Sequence, residues 1–152
     1  FVEVPIDPIG RGDFTVECWV YPTFLSGSGT SGIFTGATIS GEAGPVVADD
    51  YWWLGSNSGA IFFSNSGGKL QLNQWQHVAI SREGSTARAF YNGTLFDTQT
   101  TAMNLAQTTM MLFARYTGLQ DPSGGYIQDF RLTKGLARYT ANFTPPTAEL
   151  EG

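Results

Sequence analysis

Short apolar runs recur along this chain about every eight to twelve residues, and nearly every one is closed by Gly, Pro, Asn, Asp or Ser. That spacing fits the strands of an antiparallel β-sandwich or jelly roll and leaves room for no helix longer than a turn or two. The clearest run is Asp13–Tyr21, where Phe14, Val16, Cys18 and Val20 alternate with Thr15, Glu17, Trp19 and Tyr21. A period of two gives a strand with distinct faces. The first set is expected in the core. The second carries Trp19 and Tyr21 beside Glu17, so that face is expected to be covered in part, and Pro22 is expected to end the strand. Trp75–Arg82 repeats the pattern, with His77 and Ala79 alternating with Val78 and Ile80. Asn92-Gly93 predicts a tight hairpin, because a type I′ turn needs positive φ at both central residues. Further strands are expected at Gly32–Ile39, Ala60–Ser64, Lys69–Leu72 and Met110–Ala114, for about a dozen in all.

The least generic text is Gly124–Pro146. Strict alternation puts Tyr126, Gln128, Phe130 and Leu132 on one face and Ile127, Asp129, Arg131 and Thr133 on the other. After Gly135, a non-strand tail is expected to pack Leu136, Tyr139 and Phe143 back on the body before Pro145 and Pro146 stop regular structure. Glu17 and Arg131 each occupy an alternate-face position on a strand. A half-buried charge needs a partner, so the two are expected to form a structural ion pair, with Asp129 able to share Arg131.

At 152 residues, one domain spanning 1–152 is expected. Charged residues are only 14 % and the net charge is −5, which argues against nucleic acid, whose phosphates demand clustered Lys and Arg. No apolar run approaches the ~20 residues of a membrane span, so membrane insertion is not expected. The single cysteine, Cys18, excludes an internal disulfide and reads as a buried small hydrophobe. The chain opens on Phe1 with no signal-peptide pattern, which leads to the expectation of a processed chain or a piece of a longer one.

No spacing of carboxylates, of His and Cys, or of Ser, His and Asp suggests catalysis or a His/Cys metal centre. The only histidine, His77, is expected to be buried and hydrogen-bonded. Binding candidates lie in the loops. A sugar offers an apolar C–H face to an aromatic ring and hydroxyls to carboxylates and amides. Asp49, Asp50, Tyr51 and Trp53 supply both within one short stretch, and Tyr116 and Asp121 in the next long loop are expected to complete the site; Asn57 and Asn65 are weaker candidates, because Asn is common in turns for backbone reasons. The alternative for the Trp52-Trp53 pair is packing, with one indole in the core and the other in a loop hinge.

Three segments carry a resemblance. Gly-Tyr-Ile-x-Asp-Phe-Arg-Leu-Thr-Lys-Gly from Gly125 onward, Phe14-Thr-Val-Glu-Cys-Trp-Val-Tyr-Pro22, and Trp75-Gln-His-Val-Ala79 followed by Phe90-Tyr-Asn-Gly-Thr-Leu95 are similar to the closing, opening and middle strands of laminin-G-like, concanavalin-A-like jelly-roll domains. The closing wording resembles copies in bacteriophage and marine-virus structural proteins. The resemblance implies an all-β antiparallel sandwich. Hydrolases of this fold resemble one another in a strand bearing Glu-x-Asp-x-Glu; no such triplet occurs here, so no enzyme is expected. Laminin-G-like relatives often hold one Ca²⁺ at the rim, and Asp49, Asp50 and Asp121 would be its ligands here. The function implied is a lectin-like carbohydrate-binding module on a virion, tail fibre or other extracellular surface. The alternative is a structural domain that decorates a capsid, tail or fibre and binds neighbouring subunits with no sugar site.

Overall fold

The computed structural model describes residues 2–26, 31–36, 43–56, 59–64, 67–114 and 122–147. Among these residues there is no helix, and eleven strands form two antiparallel sheets. The strands are β1 (Val2–Pro5), β2 (Phe14–Leu25), β3 (Gly32–Thr35), β4 (Gly44–Ala48), β5 (Trp52–Ser56), β6 (Gly59–Phe62), β7 (Gln76–Glu83), β8 (Thr86–Tyr91), β9 (Thr94–Thr100), β10 (Thr109–Leu112) and β11 (Ser123–Lys134). One sheet runs β1-β10-β3-β4-β5-β6 and the other β11-β2-β7-β8-β9.

The core lies between the sheets. Phe14, Val16, Cys18 and Val20 of β2 and Val78 and Ile80 of β7 meet Phe34, Val47, Trp52, Leu54 and Met110 of the six-stranded sheet. The alternation of β2 thus places its apolar set inward, and each such side chain contributes about 1.5–3 kcal/mol by leaving water. Burial raises the Cys18 thiol well above its ordinary range, which keeps it an inert packing group. Arg82 also turns inward. Its guanidinium donates to the carbonyls of Gly10, Gly12 and Met103 at 2.8–3.3 Å and lies 5.3 Å from the centroid of the Phe14 ring. A buried cation is tolerated there because its donors all find backbone oxygens.

Four strand expectations change. Lys69–Leu72 is a loop and turn, with Leu70 buried and Leu72 exposed. β3 ends at Thr35, and the remainder of Gly32–Ile39 lies partly outside the described residues. β2 continues through Pro22 to Leu25, because the register shifts against Gly124 and Gly125 and a proline is accommodated at such an irregularity. The largest change is in β11. Gln128 pairs with Trp19 and Arg131 with Glu17, so three residues of β11 span two of β2. Asp129 takes φ 54° at this bulge. The extra residue reverses the phase: Ile127, Phe130 and Leu132 pack on the core, while Tyr126, Gln128, Arg131 and Thr133 pair with the outward residues of β2.

The segment after Gly135 straps the outer face of the five-stranded sheet. Tyr139 and Phe143 stack with centroids 3.6 Å apart, edge-on to His77 and Phe90. The Phe143 N–H donates to Gly93 O at 2.9 Å. Gly93 has φ 79° beside Asn92 at φ 49°, the pair a type I′ turn requires, and a Cβ on Gly93 would strike the Phe143 carbonyl. Leu136 does not join this packing; it is half exposed, and its carbonyl instead accepts the Thr15 hydroxyl.

Candidate functional site

The open edge of the sandwich between β6 and β9 holds a cleft of about 600 Å³, lined by Tyr51, Phe62, Phe63, Ser64, Asp97 and Gln99. β6 and β9 are the edge strands of their sheets. The Ser64 N–H, just beyond β6, donates to Asp97 Oδ2 at 2.7 Å and ties the two edges together. Gln99 Nε2 donates to the same oxygen at 2.9 Å, and the Thr98 N–H donates to Oδ1 at 2.9 Å. Burial pushes the Asp97 carboxyl up, but the hydrogen bonds from Gln99, Ser64 and Thr98 outweigh it and hold the carboxyl below its ordinary value. Asp97 is therefore a fixed anion with three donors on about four lone-pair positions, which leaves it able to accept from a ligand hydroxyl. Tyr51 and Phe62 are 41 % and 57 % exposed, so two rings face solvent beside it.

Of the described residues expected to bind sugar, Tyr51 alone lines this cleft. Trp53 is 4 % exposed and packs with Val46, Ala48 and Ala60, its ring 5.9 Å from that of Phe62. An indole so covered offers no face to a sugar, which corrects the expectation for it. Trp52 belongs to the main core, edge-on to Phe96. Asp49 is buried, its carbonyl accepts the Leu70 N–H, and burial with the neighbouring Asp50 charge raises its carboxyl. Asp50 pairs with Lys69 at 3.1 Å. Tyr116 and Asp121, like Asn57 and Asn65, lie outside the described residues.

The described residues do not fit a calcium site. Ca²⁺ needs six to eight oxygens with charged carboxylates among them. Asp49 and Asp50 are two, one of them already facing an ammonium group and the other with its charged form disfavoured. Among the described residues no group of three or more His, Cys, Asp or Glu could hold a metal.

Sequence reasoning missed Phe62, Asp97 and Gln99. Asp97 and Gln99 stand two apart in a strand, hence on one face, which is a readable signal. Their convergence with Tyr51 depends on which strands end at the sheet edges, and no local pattern states that.

Glu17 is the other notable carboxylate. It is fully buried on the outer face of the five-stranded sheet, under the strap. Arg131 donates to Oε1 through Nε at 2.9 Å and Nη2 at 2.6 Å, while the Tyr139 hydroxyl at 2.7 Å and His77 Nε2 at 3.1 Å meet Oε2. Against an ionised carboxylate His77 Nε2 must carry the proton. Burial raises the Glu17 carboxyl, and the bonds from His77, Tyr139 and Arg131 together lower it further than burial raises it. Burial, together with the Glu17 bond, pushes the Tyr139 phenol far up. Asp129 does not face this network; it lines a recess with Trp19, Trp75, Gln128 and Thr147.

The two packed antiparallel sheets define an all-β sandwich. A profile of the concanavalin A-like lectin/glucanases superfamily matches residues 1–136, and the chain belongs to that family. No curated protein sequence matches it significantly. Domain 4 of AbnA, an extracellular GH43 arabinanase from Geobacillus stearothermophilus solved with arabinotriose, is similar in structure at TM-score 0.68 and 18 % identity, covering 89 % of this chain and 68 % of that one. The carbohydrate-binding module CBM66 from Bacillus subtilis aligns at TM-score 0.54 and 14 % identity over 86 % and 76 %. The CBM40 of the Ruminococcus gnavus IT-sialidase, bound to α2,3-sialyllactose, aligns at TM-score 0.55 and 12 % identity over 82 % and 85 %.

Proposed function

We propose that this protein is a non-catalytic carbohydrate-binding module that holds a neutral glycan in the β6–β9 cleft. The observation that carries the reading is the placement of two exposed rings, Tyr51 and Phe62, beside the fixed carboxylate of Asp97 and the amide of Gln99. The rings stack on the apolar face of a sugar, and the polar pair takes its hydroxyls. The similar domains named above include one solved with arabinotriose and one with sialyllactose, which supports a glycan as ligand. Among the described residues the only charged group lining the cleft is Asp97, and it disfavours an anionic sugar.

A binding rather than hydrolytic role is supported by the state of Glu17. Four donors occupy its carboxylate and the strap covers it, so it can neither attack nor protonate a glycosidic bond. Display on a virion, tail fibre or other extracellular surface is part of the proposal and rests on the sequence resemblance alone.

The test is a glycan-array screen of the 152-residue chain beside its Phe62→Ala and Asp97→Asn variants. Binding to neutral glycans that is lost in both variants supports the cleft. Binding to no glycan at high protein concentration would move the function to contacts with neighbouring subunits, and release of reducing sugar from any polysaccharide would contradict the non-catalytic reading.

A further inference from the structure

We propose a second carbohydrate site at the β2–β11 end of the five-stranded sheet, where Tyr21, Trp75 and Tyr126 form a stacking platform flanked by Gln128 and Asp129. It takes a neutral oligosaccharide independently of the β6–β9 cleft.

The platform consists of two open, shallow recesses bordered by aromatic rings. Tyr21 stands at the centre, with Trp75 at 5.6 Å and Tyr126 at 6.1 Å, each inclined by 62°. Trp75 and Tyr126 are 45 % and 63 % exposed. The three rings, inclined to one another, border an open recess of about 380 Å³. Trp75 is also a wall of the adjoining recess of about 230 Å³, whose other sides are Trp19, Gln128, Asp129 and Thr147. Two hollows that share an indole fit two consecutive sugar rings. Each ring can lay its C–H face on an aromatic, and in the second hollow the hydroxyls meet an amide and a carboxylate.

The backbone is shaped to hold these groups. Asp129 is a non-glycine residue at φ 54°, a conformation that persists only where the surroundings impose it. The bulge it forms leaves Gln128 and Tyr126 on the outer face while Ile127 and Phe130 stay in the core. Gly125, at φ 144°, lies so close to the Tyr21 carbonyl that a Cβ there would overlap it, which brings Tyr126 beside Tyr21. Trp19 is fixed by donation from Nε1 to Pro146 O at 2.8 Å. A platform so restrained loses little conformational entropy when a ligand docks.

Charge sets the ligand class. Among the described residues Asp129 is the only charged side chain lining either recess, which disfavours uronic, sialylated or sulfated chains and favours neutral ones. Position sets independence. β11 and β9 are the opposite edges of the five-stranded sheet, four strand spacings or roughly 19 Å apart, so one sugar cannot occupy both places.

The experiment is native electrophoresis of the chain in gels containing soluble mixed-linkage β-glucan, xylan or arabinan, with Trp75→Ala, Tyr126→Ala, Phe62→Ala and the Trp75→Ala/Phe62→Ala double variant. All these side chains are well exposed, and thermal melts check that each variant folds. For at least one polysaccharide, Trp75→Ala and Tyr126→Ala should each weaken retardation about tenfold, the equivalent of about 1.4 kcal/mol, and the double variant should migrate as if no polysaccharide were present. Retardation lost with Trp75→Ala but untouched by Phe62→Ala keeps the platform and removes the cleft. Wild-type retardation by none of the three, or by Trp75→Ala and Tyr126→Ala as strongly as by wild type, overturns the platform. So does light scattering that shows Trp75→Ala abolishing self-association while retardation is unchanged.

Discussion

The outer face of the β2–β11 pair has two halves with opposite fates. In one, Glu17 and Arg131 lie under the strap, with every Glu17 oxygen bonded and Tyr139 and Phe143 stacked above. In the other, Tyr21 and Tyr126 pair across the same two strands and stay open beside Trp75. The strands are the same and the alternation is the same. What differs is the cover, and the difference separates charge that holds the fold together from aromatic surface that is available to a ligand. It also shows why a conspicuous carboxylate is a poor guide to function when its lone pairs are filled from within.

The largest expected effect comes from breaking the closed half. Arg131→Met leaves the Glu17 carboxylate buried without its cation and should cost about 3–5 kcal/mol in urea unfolding. An unchanged midpoint would show that the pair is incidental. Tyr139→Phe removes one charge-assisted bond and keeps the stack with Phe143, for a loss of about 1.5–3 kcal/mol. A loss as large as that of Arg131→Met would mean that the phenol, not the guanidinium, anchors the strap.

The closed half also sets a pH limb. The folded Glu17 carboxyl lies below its unfolded value. Its contribution is therefore fully present above the ordinary carboxylate pKa and is lost as pH falls through the folded one. Thermal melts between neutral and acid pH should show this decline in wild type and a flatter one in Glu17→Gln. Equal slopes would assign the acid limb to other groups. The smallest effect on stability is expected from the open half. Trp75→Ala should shift the unfolding free energy by no more than about 0.5–1 kcal/mol, since nearly half of the residue is exposed, while its effect on glycan binding is expected to be large. A loss of several kcal/mol would make Trp75 a packing residue and erase the contrast between the halves.

Much of this was legible in the sequence. Phe14, Val16, Cys18 and Val20 announced an inward face, Asn92-Gly93 its hairpin, and Glu17 and Arg131 their need for one another. The face assignment of β11 beyond Gln128 was not legible, because a one-residue bulge at Asp129 reverses every later side chain and Asp, unlike Gly, gives little warning of positive φ. Trp53 misled for a related reason. It occupies the face of its sheet turned from the main core, where solvent is the default expectation, yet Val46, Ala48 and Ala60 make a second apolar cluster there. Tyr51 was singled out because it follows two acids in a loop-like stretch, and it lines the cleft. Phe62, Asp97 and Gln99 come from segments more than thirty residues apart in part, and only the closure of the two sheet edges brings them together.

The central claim is that the β6–β9 cleft binds a neutral glycan without calcium. Its most direct test is the glycan array run on Trp75→Ala, which leaves the cleft as the remaining site, and on the Trp75→Ala/Phe62→Ala double variant, each with and without chelator. Binding to neutral glycans is expected in Trp75→Ala, unchanged by chelator and lost in the double variant. Binding that survives in the double variant, or that vanishes with chelator alone, would contradict it.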